Sequence, residues 1–128
     1  MRRGFEVGTS VSVRALHRMP VEGPEGELHA HDYRIDVVVD RPQLDEHGMV
    51  VDLDVLNESL QRIAGSLAGR DLEEIRPREA EAMTVEVFAR WVHETLAGKL
   101  GAGEDAVLSV RVWESPTAFG GFKGPLTS

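Results

Sequence analysis

The sequence predicts an α+β fold in which an antiparallel sheet is covered on one face by two helices. Three observations predict it. Two long stretches near the N-terminus alternate with period two, the mark of half-buried strands. Two later stretches repeat apolar residues at helical spacing. The elements also run β, β, α, α, β, with a possible final β. Strands grouped before and after a helix pair suit an antiparallel sheet better than the alternating order of a parallel one.

The first strand is FEVGTSVSVRALH. Phe5, Val7, Thr9, Val11, Val13, Ala15 and His17 fall on one face, Ser12 and Arg14 on the other, and a break or bulge is expected near Gly8. RMPVEGPEGE supplies two prolines and two glycines and reads as a loop. The second strand spans about Leu28 to Val39. Its residues His29, His31, Tyr33, Ile35, Val37 and Val39 share a face, opposite Ala30, Asp32, Arg34 and Asp36. Pro42 and Gly48 punctuate the turn region that follows.

A helix starts near Asp52 or Asp54, either of which can satisfy free backbone N–H groups, and carries Leu53, Leu56, Leu60, Ile63 and Leu67. Gly69 lies near its end. RDLEEIRPREAEAM contains Pro77 and reads as loop with at most a short helical turn. Thr84 caps a second helix, with Met83 as its hydrophobic staple. Val85, Phe88, Ala89, Val92 and Leu96 form its stripe, and Gly98 and Gly101 end it. AVLSVRVWES is a strand with Leu108, Val110, Val112 and Glu114 on one face. A short strand can follow around Phe119. The uncovered side of the first two strands is expected to remain apolar and to favour association with other copies.

A chain of 128 residues fits one domain, residues 1–128. Lys and Arg number 14 against 22 Asp and Glu, a formal charge of -8. That balance argues against an electrostatic grip on nucleic acid or an anionic membrane. A local cluster of cations for a small anion stays open. With no cysteine, disulfides, thiolate ligands and cysteine nucleophiles are excluded. No stretch approaches the ~20 apolar residues of a membrane helix, and MRRGFEVGTS lacks the apolar run of a signal peptide. The expected location is the cytoplasm.

GELHAHDYR raises the functional question. Residues i and i+2 on a strand point the same way, roughly 7 Å apart at the backbone, so His29 and His31 can converge on one ion. His17 is in phase with the same face, and the intervening Pro/Gly loop can bring it beside His29. Three neutral imidazoles plus water suit catalytic zinc, which polarises a substrate oxygen or acidifies a bound water. By spacing alone, two polar histidines on a wet edge explain the motif as well. His47 and His93 have no such partners.

Several motifs in order resemble those of the 6-pyruvoyl-tetrahydropterin synthase and 6-carboxytetrahydropterin synthase family. VRALHRM is similar to its first histidine segment, EGELHAHDYRI to its HGHNY-like strand, and GMVVDLDVL to its GMVxDF-like segment. MTVEVFARWV is similar to its PTxENxAxWI helix start, and VRVWES to the strand bearing its pterin-anchoring glutamate. The resemblance implies a T-fold (tunnelling fold) whose sheets join into a barrel-like homo-oligomer, often a hexamer made of two trimers. It implies Zn2+ held by His17, His29 and His31, and a pterin-like substrate anchored by Glu114. Thr84 and Glu86 match the TxE pair of the substrate site, although Thr84 also serves as a helix cap and Glu86 suits a helix N-terminus. Asp52 matches a recurrent acid and reads first as a cap.

The pattern departs in two places. Glu25 stands where the usual enzymes carry a catalytic cysteine. Ala68 and Gly69 stand where an Asp-His pair is expected, with Asp71 nearby. Some family members with a glutamate near the cysteine position resemble retro-aldol enzymes that shorten the dihydroneopterin side chain. The reading is therefore a zinc-dependent pterin-modifying lyase with Glu25 as catalytic base. Glu22 and Glu27 are competitors for that role, and a pterin- or purine-binding protein without turnover is the alternative.

Overall fold

A computed structural model describes residues 3–101 and 105–126, apart from the side chain of Glu25. Strands β1 (Phe5–His17) and β2 (His29–Arg41) form a long hairpin. Helices α1 (Leu53–Leu67) and α2 (Val85–Ala97) follow, and a second hairpin, β3 (Val107–Ser115) and β4 (Ala118–Pro125), completes the chain. The sheet is antiparallel throughout, in the order β1-β2-β3-β4. α1 packs over β1, and α2 over β3 and β4.

The alternation of the strands determines which face is covered. Val11, Val13, Ala15, Tyr33, Ile35, Val37 and Val39 are buried, as are Leu108, Val110 and Val112. Leu56, Leu60, Phe88, Val92 and Leu96 meet them from the helices. Each buried valine, leucine, isoleucine or phenylalanine among them contributes roughly 1.5–3 kcal/mol through burial. Asp52 caps α1, accepting from the N–H groups of Asp54 and Val55, and Thr84 caps α2 through Val87 N–H. Met83 is buried just before that cap. The final strand is longer than expected, because Ala118–Pro125 pairs with β3 along most of its length.

Two expectations fail. The hairpin register runs unbroken through Gly8, opposite Val38, so there is no bulge there. A Cβ on Gly8 would lie 2.7 Å from the Val37 carbonyl oxygen, so glycine answers close backbone approach rather than a change of register. The uncovered face of β1 and β2 is also polar rather than apolar. Arg14 pairs with Asp32 at 2.9 Å, and Asp36 accepts from Ser10 at 2.7 Å, from Arg34 at 3.0 Å and from Trp113 at 2.7 Å. Apart from Val38, the valines and isoleucine of these strands face the helices, and period-two geometry turns Ser, Arg and Asp the other way.

Candidate functional site

The register of the first hairpin sets His17 directly opposite His29. His31 is two residues further along β2, so all three rings gather at one end of the helix-covered face. The His29 and His31 rings lie 4.5 Å apart between centroids, and the His17 ring lies 6.3 Å from His29 and 6.1 Å from His31. Among the described residues, no three His, Cys, Asp or Glu side chains are already gathered closely enough to enclose a metal ion.

The donor chemistry still fits one. His29 Nδ1 is 2.6 Å from the carbonyl oxygen of Glu27 and must donate to it, which leaves its Nε2 lone pair directed inward. That Nε2 lies 2.7 Å from His31 Nε2. Backbone carbonyls commonly orient metal-binding imidazoles in this way. His17 Nε2 is buried with no hydrogen-bond partner, a costly arrangement unless something occupies it. Burial lowers the His17 pKa, helped by His31 and His29, with Glu73 and the Met83 backbone opposing. The ring is thereby biased to the neutral form that ligates metals.

Local structure holds this corner in place. Beyond α1 the chain turns at Gly69 with φ +73, a conformation glycine adopts without strain. It then runs alongside β1, where Gly69 N–H donates to Arg14 O and Leu16 N–H donates to Arg70 O, each at 2.8 Å. Asp71 bridges to Leu16 and caps the 3-10 turn Leu72–Ile75 through Glu73 N–H. This strap brings Glu73 into electrostatic range of His17, and Arg76 holds the Glu73 carboxylate at 2.5 Å. The sequence offered no regular periodicity from which to read the strap. Its only signal was Asp71 preceding a short charged turn.

A cavity of about 580 Å³ opens beside His31. It forms because β2 and β3 pair only as far as Arg34 and Trp113. Beyond that point β2 continues with β1, while β3 turns into its hairpin with β4. His31, Tyr33 and Glu114 reach the cavity from the helix side, and Arg34 and Trp113 border it from the other. Tyr33 packs against His31 at 5.7 Å and edge-on against Phe88 at 5.4 Å. Burial, then the Glu114 carboxylate, raise its pKa, so the phenol keeps its proton and can donate. Sequence reasoning put Tyr33 on the right face but gave it no role.

The predicted residues separate into groups. His17, His29 and His31 come together, and Glu114 shares the cavity with His31. Thr84 and Glu86 do not line that cavity. Thr84 acts as the α2 cap, and Glu86 lies against β4, where a Cβ on Gly120 would sit 3.1 Å from its Oε1. Glu25 belongs to the 3-10 turn Pro24–Gly26, and its side chain lies outside the described residues. Among the rivals, Glu27 orients His29 through its backbone carbonyl.

The family model for 6-pyruvoyl tetrahydropterin synthase matches residues 6–125. The chain belongs to this family. A relative, the 6-carboxy-5,6,7,8-tetrahydropterin synthase of Bacillus subtilis (strain 168), is 25% identical over 120 residues, covering 90% of this chain and 82% of the relative. Among solved structures, the 6-pyruvoyl tetrahydropterin synthase of Caenorhabditis elegans superposes with a TM-score of 0.75 at 21% identity, covering 95% of this chain and 96% of the other. The Plasmodium vivax enzyme superposes with a TM-score of 0.79 at 13% identity, covering 96% and 99%. As a member of this synthase family the chain has the T-fold, and it lacks the cysteine of the usual enzymes. Another Plasmodium vivax structure, similar at a TM-score of 0.77 and 14% identity, is described as a catalytic-residue mutant in which glutamate is replaced by alanine.

Proposed function

We propose that this protein is a zinc-dependent lyase acting on the side chain of 7,8-dihydroneopterin triphosphate or a related dihydropterin. The observation that carries the reading is the gathering of three imidazoles, one with a buried unpartnered Nε2 and another, His31, lining a cavity shared with Glu114. His17, His29 and His31 would hold the metal. Bound there, zinc supplies Lewis acidity toward the oxygens of the substrate side chain.

The protein's own groups then divide the work. Glu114 accepts the adjacent ring N–H groups of the pterin, a bidentate pairing that gives the carboxylate a partner. Tyr33 donates its phenolic proton to a substrate oxygen. Glu25 removes the proton of the hydroxyl carried by the far carbon of the bond to be cut. The C–C bond breaks, a carbonyl forms on the departing fragment, and the electron pair passes into the pterin ring. Reprotonation of the remaining side-chain carbon gives the 6-hydroxymethyl product and releases an aldehyde. The catalytic glutamate of the Plasmodium vivax protein supports a carboxylate in this role. We also infer a homo-oligomer, a hexamer of two trimers in the first instance. The outer edges of β1 and β4 and the exposed Phe5, Phe119 and Phe122 support association.

The test is a substrate panel on zinc-loaded protein, containing dihydroneopterin and its triphosphate, with products read by chromatography and mass. Zinc-dependent aldehyde release that falls at least 100-fold in Glu25→Ala is the expected result. Turnover unchanged in Glu25→Ala would remove Glu25 from the mechanism. The second reading is a pterin- or purine-binding protein without turnover. It is favoured by Ala68 and Gly69 at the positions of the family's Asp-His pair, and tight pterin binding with no product would establish it.

A further inference from the structure

The sheet face opposite the histidines carries its own charge pattern. On β1 and β2, among the described residues, the cations of this face have acids. Arg14 pairs with Asp32 at 2.9 Å, and Arg34 with Asp36 at 3.0 Å. On β3 and β4 this changes. Arg111 and Lys123 are exposed on that same face, and among the described residues neither has a carboxylate within ion-pair distance.

Their placement is diagonal across the β3–β4 ladder. Arg111 faces Gly121, and Lys123 faces Ser109. Diagonal neighbours lie about 7–8 Å apart at the backbone, within reach of one another's side chains, so like charges here repel. Gly121 leaves the floor between them bare. A Cβ there would sit 2.8 Å from the Val110 carbonyl oxygen, so the backbone itself excludes a larger residue. The result is a depression of about 360 Å³ bordered by Ser109, Arg111, Phe119 and Lys123.

Arg111 is also held ready. Its guanidinium stacks 4.6 Å from the centroid of Phe119, whose ring packs 4.5 Å from Trp113. Stacking occupies the flat face of a guanidinium and leaves its N–H edge available, the edge that binds phosphate oxygens in bidentate fashion. Lys123 adds a point charge and Ser109 a hydroxyl donor. On a chain of formal charge -8, two neighbouring cations without acids over a bare glycine floor are complementary to an anion.

We propose that Arg111, Lys123 and Ser109 form a binding site for a phosphate or polyphosphate group on the sheet face opposite the histidines. The site is separate from the pterin reading and stands without it.

The probe is inorganic tripolyphosphate, titrated by calorimetry into the whole chain in metal-free buffer, with orthophosphate as a second ligand. The expected result is saturable binding that weakens at least fivefold in Arg111→Gln and in Lys123→Gln and disappears in the double variant. Arg78→Gln, an exposed loop cation, should bind as the parent does. Circular dichroism and size-exclusion profiles of each variant show whether the fold and assembly are kept. Tripolyphosphate binding unchanged in the double variant would overturn the proposal. So would absence of binding in the parent. Absence of binding together with a changed oligomeric state in the double variant would overturn it too, and would assign the two cations to acids of a second copy.

Discussion

Trp113→Phe tests the polar network that holds β2 to its neighbours. Asp36 accepts from Ser10, Arg34 and Trp113 with its side chain only 22% exposed. The substitution removes one N–H at 2.7 Å from a charged acceptor and keeps an aromatic ring under Arg34, whose guanidinium sits 4.7 Å from the Trp113 ring. Hydrogen bonds to charged groups contribute ~1.5–3 kcal/mol. Two other donors remain, so the lower end applies, about 1.5 kcal/mol. With a urea m-value of ~2 kcal/mol/M the midpoint falls by about 0.7 M at pH 7. The loss should shrink in acid. Burial raises the Asp36 pKa, but the bonds from Ser10, Arg34 and Trp113 outweigh it and hold the carboxyl below its ordinary value. A depressed carboxyl stabilises the fold above its unfolded pKa and loses that contribution as pH falls through the folded one. In Trp113→Phe the folded value rises toward the ordinary one, so the acid limb of stability flattens and the two proteins converge as the pH falls through the folded value. Urea unfolding at fixed protomer concentration and several pH values reads both effects. Equal midpoints at pH 7, or a gap that persists undiminished in acid, would refute the reasoning.

Alanine in place of His17, His29 or His31 should weaken zinc binding at least ~100-fold, since each removes a ligand where even the loss of an outer partner costs 10–100-fold; chelator competition measures it. Chelation of the zinc should lower stability by about 2.7 kcal/mol relative to protein at free metal 100 times its Kd, read as a drop in urea midpoint. Gly26→Ala should weaken zinc several-fold with little change in overall stability. A Cβ there would overlap the Val21 carbonyl oxygen, and the loop must then shift the Glu27 carbonyl that orients His29. Asp52→Ala should cost about 1 kcal/mol, the usual worth of an N-cap, with zinc affinity unchanged.

Much of this molecule follows from local rules. The period-two pattern of residues 5–17 gives β1 to the residue, because each apolar side chain must face the helices and a slip by one would reverse them all. The caps at Asp52 and Thr84 follow from orphan N–H groups that only a short polar side chain can reach. The facing of His17 and His29 follows once the register of the hairpin is fixed. What stayed hidden depends on contacts between distant segments. The strap from Gly69 to Asp71 pairs with β1 through backbone groups, which carry no residue signature. The cavity depends on where β2 and β3 part company, a property of two strands rather than either one. The polar character of the open face was readable in Asp32, Arg34 and Asp36, but the valines beside them in sequence suggested an apolar surface that the alternation sends inward.

The strap has a consequence for growth of the sheet. By taking the Arg14 carbonyl and the Leu16 N–H, it closes the histidine end of β1 to any further strand. The rest of that border, from Phe5 to Val13, keeps backbone groups that can template an added strand. Whatever chain docks there must stop short of Arg14, and its offset along β1 is then bounded at one end. A loop that steadies the histidine corner thus also acts as a doorstop for edge-to-edge assembly.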